Sequence, residues 1–331
     1  MGAARKYAPL LPVLGLYAAL FAIGLLVPGK WQLIAQLVFY CALGQAFNLF
    51  MGMTGYVDFG YVAFMGVGAY GMAVTVSSLS DKGLGLWLIP LGLVHAAIFS
   101  ILLSLAVGAV ALRLRGAYFA IATIGVNEGF RFLIEGARLW NGSAGIIFSR
   151  NMKEAFGREG AIEISTFWAD VLVFAVAVLA AVMTMVYLCS KVGYALTALR
   201  EDEDAAKVMG INVIRYKIVA FITSAVLAGL LGACAWALKL TYVYPADVFE
   251  IHYTVEAIII VLLGGAGTLL GPIVGGLIYA ASKYYLAVTV PGLQLLIFAP
   301  IILTIIVLFP EGTVGMVKRR CRSTVLERFI H

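Results

Sequence analysis

The 331-residue chain is 63% hydrophobic and 12% charged, with a formal net charge of +6. Soluble domains hold about 25% charged residues, so this composition excludes a soluble globular fold, and no feature points to nucleic acid. A bilayer-spanning helix needs about 20 mostly apolar residues, and most of the chain divides into such pieces. The expected fold is an all-α polytopic membrane protein, a single transmembrane domain over 1–331.

Charges, prolines and glycines mark out ten transmembrane or re-entrant segments: 7–27, 31–51, 59–76, 86–112, 117–135, 166–189, 216–243, 253–264, 272–289 and 293–309. The first follows Arg5 and Lys6, and its apolar run exceeds the h-region of a signal peptide; it is expected to be a retained span. Basic residues at span ends mark the cytoplasmic side. If the segments alternate, Arg5, Lys6, Arg113, Arg115, the 191–217 connection and Lys318, Arg319, Arg320 and Arg322 share that side, together with both termini. Lys30, the 77–85 loop, residues 136–165, the 244–252 loop and Pro291 fall opposite. The basic tail, 318–331, is expected near anionic lipid headgroups.

Two stretches, 52–71 (GMTGYVDFGYVAFMGVGAYG) and 264–276 (GGAGTLLGPIVGG), are too glycine-rich for lipid-facing spans. Irregular backbone at membrane depth survives only inside protein or beside a water-filled cavity, so both belong in the interior. Two readings stay open for each: a broken element beside a substrate path, or close helix packing through small residues. In 216–243 the rows Ser224, Ala228, Gly232 and Ala225, Gly229, Ala233 favour packing. Along the possible path stand Gln45, Asn48, Gly55, Asp58, Glu128, Gly264, Gly265 and Gly267. Asp58 reads either as an N-cap for a helix starting near Phe59 or as a pathway group. Glu128, Arg131 and Glu135 share one helix face, as an internal ion pair or a substrate contact. Gln45 and Asn48 either bond the loose backbone of the first glycine-rich stretch or face a ligand. Glu256 and Lys239 sit nearer the external ends, where they can reach the interface.

Some patterns mislead. GVGAYG (66–71) matches G-x-G-x-x-G without the strand and βαβ context that a dinucleotide site needs. GLLVPGK (24–30) lacks the Ser or Thr that would hold magnesium, because Trp31 follows it. Cys41, Cys189, Cys234 and Cys321 show no paired spacing, and His95, His252 and His331 lie far apart. No cofactor, metal or catalytic constellation is expected, which counts against a membrane-embedded enzyme.

LTALREDEDAAKVMGI (196–211) concentrates charge in an apolar chain. Asp202, Glu203 and Asp204 suit a helix N-terminus and Lys207 its last turn, while Gly210 provides a C′ stop. Such a two-turn helix is too short to persist alone. It is either an ordinary surface connection or a docking peg whose Ala205–Ala206 face allows close approach within a polar rim.

Asp204-Ala205-Ala206-x-x-x-Gly210 is similar to the E-A-A-x-x-x-G loop of ABC importer permeases. The longer run from GYALTALREDEDAAKVMGI to AVLAGLLGA resembles the branched-chain amino-acid importer permeases. So do GMTGYVDFGYVAFMGVGAY (52–70), RLRGAYFAIATIGVNEGFRF (113–132), NGSAGI (141–146) and LLGGAGTLLGPIVGG (262–276). RGAYFAIATIG followed by an acid and Arg131 looks like the M-type (LivM-type) subunit more than its H-type partner. Asn141 stands where the family more often has glycine, and Asp58 where a small polar residue is common.

The resemblance implies a multi-pass subunit of a bacterial inner membrane, with 136–165 a periplasmic loop and 191–215 a cytoplasmic coupling-helix loop. Its implied partners are a second, H-type permease subunit, two cytoplasmic ABC ATPases and a periplasmic binding protein. Arg200, Glu201, Asp202, Glu203, Asp204, Ala205, Ala206 and Gly210 are then the ATPase-coupling residues. The implied cargo is a branched-chain or related aliphatic amino acid, with urea, short amides or other small carboxylates as the alternative. An ion-coupled secondary transporter using Asp58 and Glu128 is a competing class.

Overall fold

The computed structural model describes residues 7–137, 139–289, 300 and 312–313. The tail 318–331 lies outside the described residues, as does predicted segment 293–309 apart from residue 300. The described chain is helical, in keeping with a polytopic membrane protein. Five stretches among the described residues are long and apolar enough to cross a membrane: Trp31–Thr54, Val62–Lys82, Gly85–Ala111, Ser149–Leu188 and Val213–Leu238.

In chain order the helices are α1 (Leu10–Leu26), α2 (Trp31–Asn48), α3 (Met51–Thr54), α4 (Val62–Leu79), α5 (Leu88–Ala111), α6 (Ala117–Gly136) and α7 (Ser149–Glu163). They continue with α8 (Ala169–Leu188), α9 (Lys191–Glu201), α10 (Glu203–Val208), α11 (Val213–Leu231), α12 (Pro245–Val248), α13 (His252–Gly264) and α14 (Gly271–Thr289). A π-helical stretch, Ile164–Trp168, joins α7 to α8, and another, Gly232–Leu238, extends α11. The expected boundaries hold to within a few residues for most spans. The exception is 136–165, expected as a loop: it contains the fifteen-residue α7, kinked at Gly157.

The chain divides into two compact units. The first comprises the described parts of Met1–Gly55, Ala177–Val213 and Glu256–His331. Here α14 packs on α2 through small residues: a side chain at Gly276 would run into the Cys41 backbone 2.7 Å away. Cys41 donates its thiol to the Ile273 carbonyl at 3.4 Å. Glu256, expected to reach for the interface, is instead buried and paired with Lys283, and it also accepts from the Tyr279 hydroxyl at 3.0 Å. The correction is physical: a carboxylate inside a bundle lowers its desolvation cost by pairing internally.

The second unit comprises Tyr56–Val176 and Ile214–Val255. Its centre is α4, buried along nearly its whole length. Gly71 sits on the backbone of His95 and Ala96 in α5, Gly68 on Gly229, and Gly232 on Met65. Small residues let backbones approach where lipid provides no hydrophobic drive between helices. For 62–71 and the 224–233 rows, close packing is therefore the reading that holds. Lys239, the other residue expected to snorkel, pairs with buried Asp170 at 2.6 Å. His95 is partly buried and bonded to Thr75 at 2.9 Å. A short antiparallel pair, β1 (Ile146–Ile147) with β2 (Tyr242–Val243), joins the 136–165 stretch to the end of the expected segment 216–243.

Candidate functional site

In the first unit the two glycine-rich stretches meet. Helix α2 ends at Asn48, and after a two-residue interruption α3 runs only to Thr54, where Gly55 turns the chain with φ +75°. Helix α13 ends at Gly264, and the turn before α14 needs Gly265 (φ +121°) and Gly267 (φ +77°). L side chains rarely adopt such angles. Both breaks therefore read directly from glycine.

Polar side chains of α2 hold the second break. Asn48 accepts the Gly267 N–H at 2.8 Å and donates to the Thr268 carbonyl at 3.0 Å. Gln45 donates to the Leu269 carbonyl at 3.0 Å. Thr268 closes the turn by accepting from the Gly271 N–H at 3.0 Å. Gln45 and Asn48 are fully buried and bond the second glycine-rich stretch, not the first. Of the two readings open for them, backbone bonding is the one the contacts show: their amides hold backbone groups that no regular helix would satisfy.

Arg200 completes the junction. From the last turn of α9 its guanidinium donates to the Gly52 carbonyl at 2.8 Å and to the Ala266 carbonyl at 3.2 Å. Gly52 lies in a four-residue helix in which the Met51 carbonyl accepts the Gly55 N–H at 2.8 Å. Carbonyls at a helix C-terminus need partners from outside the helix, and a fixed cation suits such an end. The junction is tight. A side chain on Gly52 would meet the Gly267 amide nitrogen at 2.6 Å, and one on Gly267 would meet Arg200 at the same distance. The resemblance groups Arg200 with the ATPase-coupling residues; its guanidinium bonds the glycine breaks and stays accessible to solvent.

Beyond Arg200 the chain kinks. Glu201 ends α9 on the surface, and Asp202 is extended (φ −156°, ψ 112°). The Asp202 carboxylate caps α10, accepting from Asp204 N–H at 2.9 Å and Ala205 N–H at 3.0 Å. Lys207 pairs with Glu203 at 2.9 Å and lies 3.7 Å from Asp204. At the other end Gly210 has φ +83°. Its N–H bonds the Lys207 carbonyl at 3.0 Å, and the Ile211 N–H bonds the Ala206 carbonyl at 3.0 Å, the two bonds of a Schellman stop.

The expected contact face needs correction. Ala205 is exposed but Ala206 is buried, because successive helical residues point about 100° apart. The outward apolar groups are Val208 and Met209, 86% and 81% exposed. An apolar pair between Lys207 and Gly210 was the available signal for them.

The second unit holds the other expected path residues. Asp58 is buried and accepts the Gly60 N–H at 2.9 Å, which caps a turn rather than a helix starting near Phe59. Helix α4 begins three residues later, where Thr254 accepts the Val62 N–H at 3.0 Å, and Thr123 accepts the Phe59 N–H at 3.1 Å. Glu128 and Glu135 flank Arg131 at 3.7 and 3.1 Å, an intrahelical ion-pair set with partly exposed side chains. Lys217, which no sequence pattern marks, is buried with its ammonium 3.8 Å from the centre of the Tyr56 ring.

The class defined by this fold is a multi-pass helical membrane protein with broken helices. Residues 31–308 match the family described as branched-chain amino acid transport system / permease component. The chain belongs to that family. It is similar to the high-affinity branched-chain amino acid transport system permease protein LivM of Salmonella typhimurium, 30% identical over 277 residues. The protein of the same name from Escherichia coli is 29% identical over 276 residues. Each match covers 77% of this chain and 63% of the relative's length. No solved structure matches.

Proposed function

We propose that this chain is a membrane-spanning permease subunit of an ABC importer, moving branched-chain or related aliphatic amino acids inward by ATP-driven alternating access. The observation that carries this reading is α10: a capped two-turn helix with the D-A-A-x-x-x-G spacing, presenting Val208 and Met209 to solvent. Exposed apolar side chains within a charged rim suit insertion into a partner's cleft. The partners of this reading are two cytoplasmic ATPases, a second permease subunit and a periplasmic binding protein. ATP hydrolysis lies with the ATPases, and this chain is not itself an enzyme.

In this reading the alternation of ten spans puts 191–215 on the cytoplasmic side, 136–165 in the periplasm, and both termini and the 318–331 tail in the cytoplasm. Two groupings of contacts support it. Arg200 joins the 191–215 connection to the turns at 52–55 and 265–270, all of which the alternation places together. The β1–β2 pairing joins 136–165 to the connection after α11, again on one side. Asp58, Glu128 and Gly55, with Gly264, Gly265 and Gly267, stand as candidate residues along or beside the path.

The test is co-purification of the cognate ATPases with the V208D/M209D double variant. Loss of the ATPases, with the permease still at normal levels in the membrane, is the expected result. Retained ATPases and unchanged leucine uptake would overturn the docking reading. Uptake by the chain alone, driven by a proton gradient, would favour the secondary-transporter class instead.

A further inference from the structure

Arg200 bonds two separate breaks at once. Those breaks lie far apart in the chain, and no helix ladder connects them. One side chain from α9 reaches the carbonyls of Gly52 and Ala266. A single extended residue, Asp202, separates α9 from α10. Only Glu201 and Asp202 separate Arg200 from α10.

We infer that Arg200 is a positioning residue that carries movement of α10 into the two glycine breaks. The inference rests on the reading of α10 as the ATPase contact. Three features make the junction suited to the task. The breaks meet closely, since a β-carbon on Gly52 would meet both the Asn48 side chain and the Gly267 amide, and one on Gly267 would meet Arg200 and the Gly52 carbonyl. Glycines at φ +75°, +121° and +77° supply backbone able to change angle at low steric cost. Asn48 secures the second break to α2 independently, so a pull on Arg200 acts on a held turn rather than a loose one.

The guanidinium has the required shape. Both bonds leave one nitrogen, Nη1, whose two N–H groups are held at a fixed angle in the plane of a permanently charged group. A lysine at this position offers a point charge on a flexible stem, able to reach either carbonyl without fixing the distance between them. Glutamine offers an amide with no charge. R200K and R200Q therefore separate charge from shape.

The experiment uses the chain assembled with its second permease subunit and cognate ATPases in membranes. A cysteine at position 270 (L270C), beside the second break and outside the hydrogen-bonded set, reports its exposure in a background with the native cysteines replaced by alanine. Maleimide labelling is compared at rest and with vanadate-trapped ATP. With Arg200 intact, trapping is expected to change the labelling rate. With R200A or R200Q the ATPases should stay bound, resting labelling should match the parent, and the ATP-dependent change should shrink by about fivefold or more, the lower end of coupling between distinct sites. R200K should fall between.

A full ATP-dependent change in R200A and R200Q overturns the inference. So does a rise in resting labelling equal to the trapped value, which would make Arg200 a structural tie alone. If V208D/M209D still binds the ATPases, the docking reading fails and the inference fails with it. That result is read by co-purification and is distinct from either labelling outcome. Should R200A not assemble, R200K and R200Q carry the same comparison.

Discussion

Asn48 and Gly267 stand 219 positions apart, yet the Asn48 side chain accepts the Gly267 N–H at 2.8 Å and donates to the next carbonyl, that of Thr268, at 3.0 Å. One buried amide thus satisfies two backbone groups of a turn that has no ladder to satisfy them.

Substituting N48A removes both bonds and leaves the Gly267 amide without its acceptor, at a cost of about 1–3 kcal/mol. Thermal unfolding in detergent should show a clear fall in Tm. G52A should be worse, because its added methyl group would press on both Asn48 and Gly267. The expected result is loss of folded protein from the membrane fraction, and G52A at normal levels would show that the contact has room to give.

The ends of α10 should control how well it serves as a contact. D202A removes an N-cap that is worth about 1 kcal/mol; if docking needs the formed helix, ATPase affinity should fall about fivefold. G210V forces a β-branched residue to φ +83°, at a cost of about 1–2 kcal/mol, and should weaken binding further. Titration of the ATPases into reconstituted permease measures both. Wild-type affinity in D202A would mean that α10 forms in contact with its partner without needing its cap.

The buried pair of Glu256 and Lys283 predicts an asymmetry. K283M leaves a buried carboxylate with only the Tyr279 hydroxyl. Loss of a fully buried partner costs about 3–5 kcal/mol. A third of the Lys283 side chain is exposed, so about 1–3 kcal/mol is expected here once solvent screening is allowed for. The double variant E256Q/K283M should recover much of that loss. Equal melting temperatures for the single and double variants would show that the pair contributes no coupling.

Glu128 and Glu135 separate a structural role from an ion-coupling one. Both contact Arg131 with partly exposed side chains, and such pairs contribute about 0–1 kcal/mol. E135Q, which breaks the shorter contact, should lower Tm slightly more than E128Q. Neither should abolish ATP-driven leucine uptake. Abolished uptake in E128Q, with the protein stable and the ATPases bound, would place that carboxylate on the transport path.

Much of the fold is legible in composition and glycine placement. Spans are visible because a bilayer demands long apolar helices. The breaks at Gly55, Gly265 and Gly267 are visible because few other residues accept their backbone angles. The Asp202 cap and the Gly210 stop are equally local, since each is a property of a few consecutive residues. Side-chain destinations are not local. Gln45 and Asn48 sit beside the first break and bond the second, and Arg200 belongs by sequence to a charged helix and by contact to the glycines. Glu256 and Lys239 looked like residues reaching for the interface, and each found an internal partner on another helix.

The sequence by itself determined a helical membrane protein, the positions of its backbone breaks, and the limits of a short capped helix in a charged connection. Hydrophobic length, φ restriction and capping act over one or two turns, so they can be read along the chain. Only the tertiary structure decided which polar group meets which carbonyl. It also decided that Ala206 turns inward while Val208 and Met209 face out, and that Arg200 spans two breaks. Those outcomes depend on which helices become neighbours, and the polar contacts of the glycine junction join residues 66 to 224 positions apart.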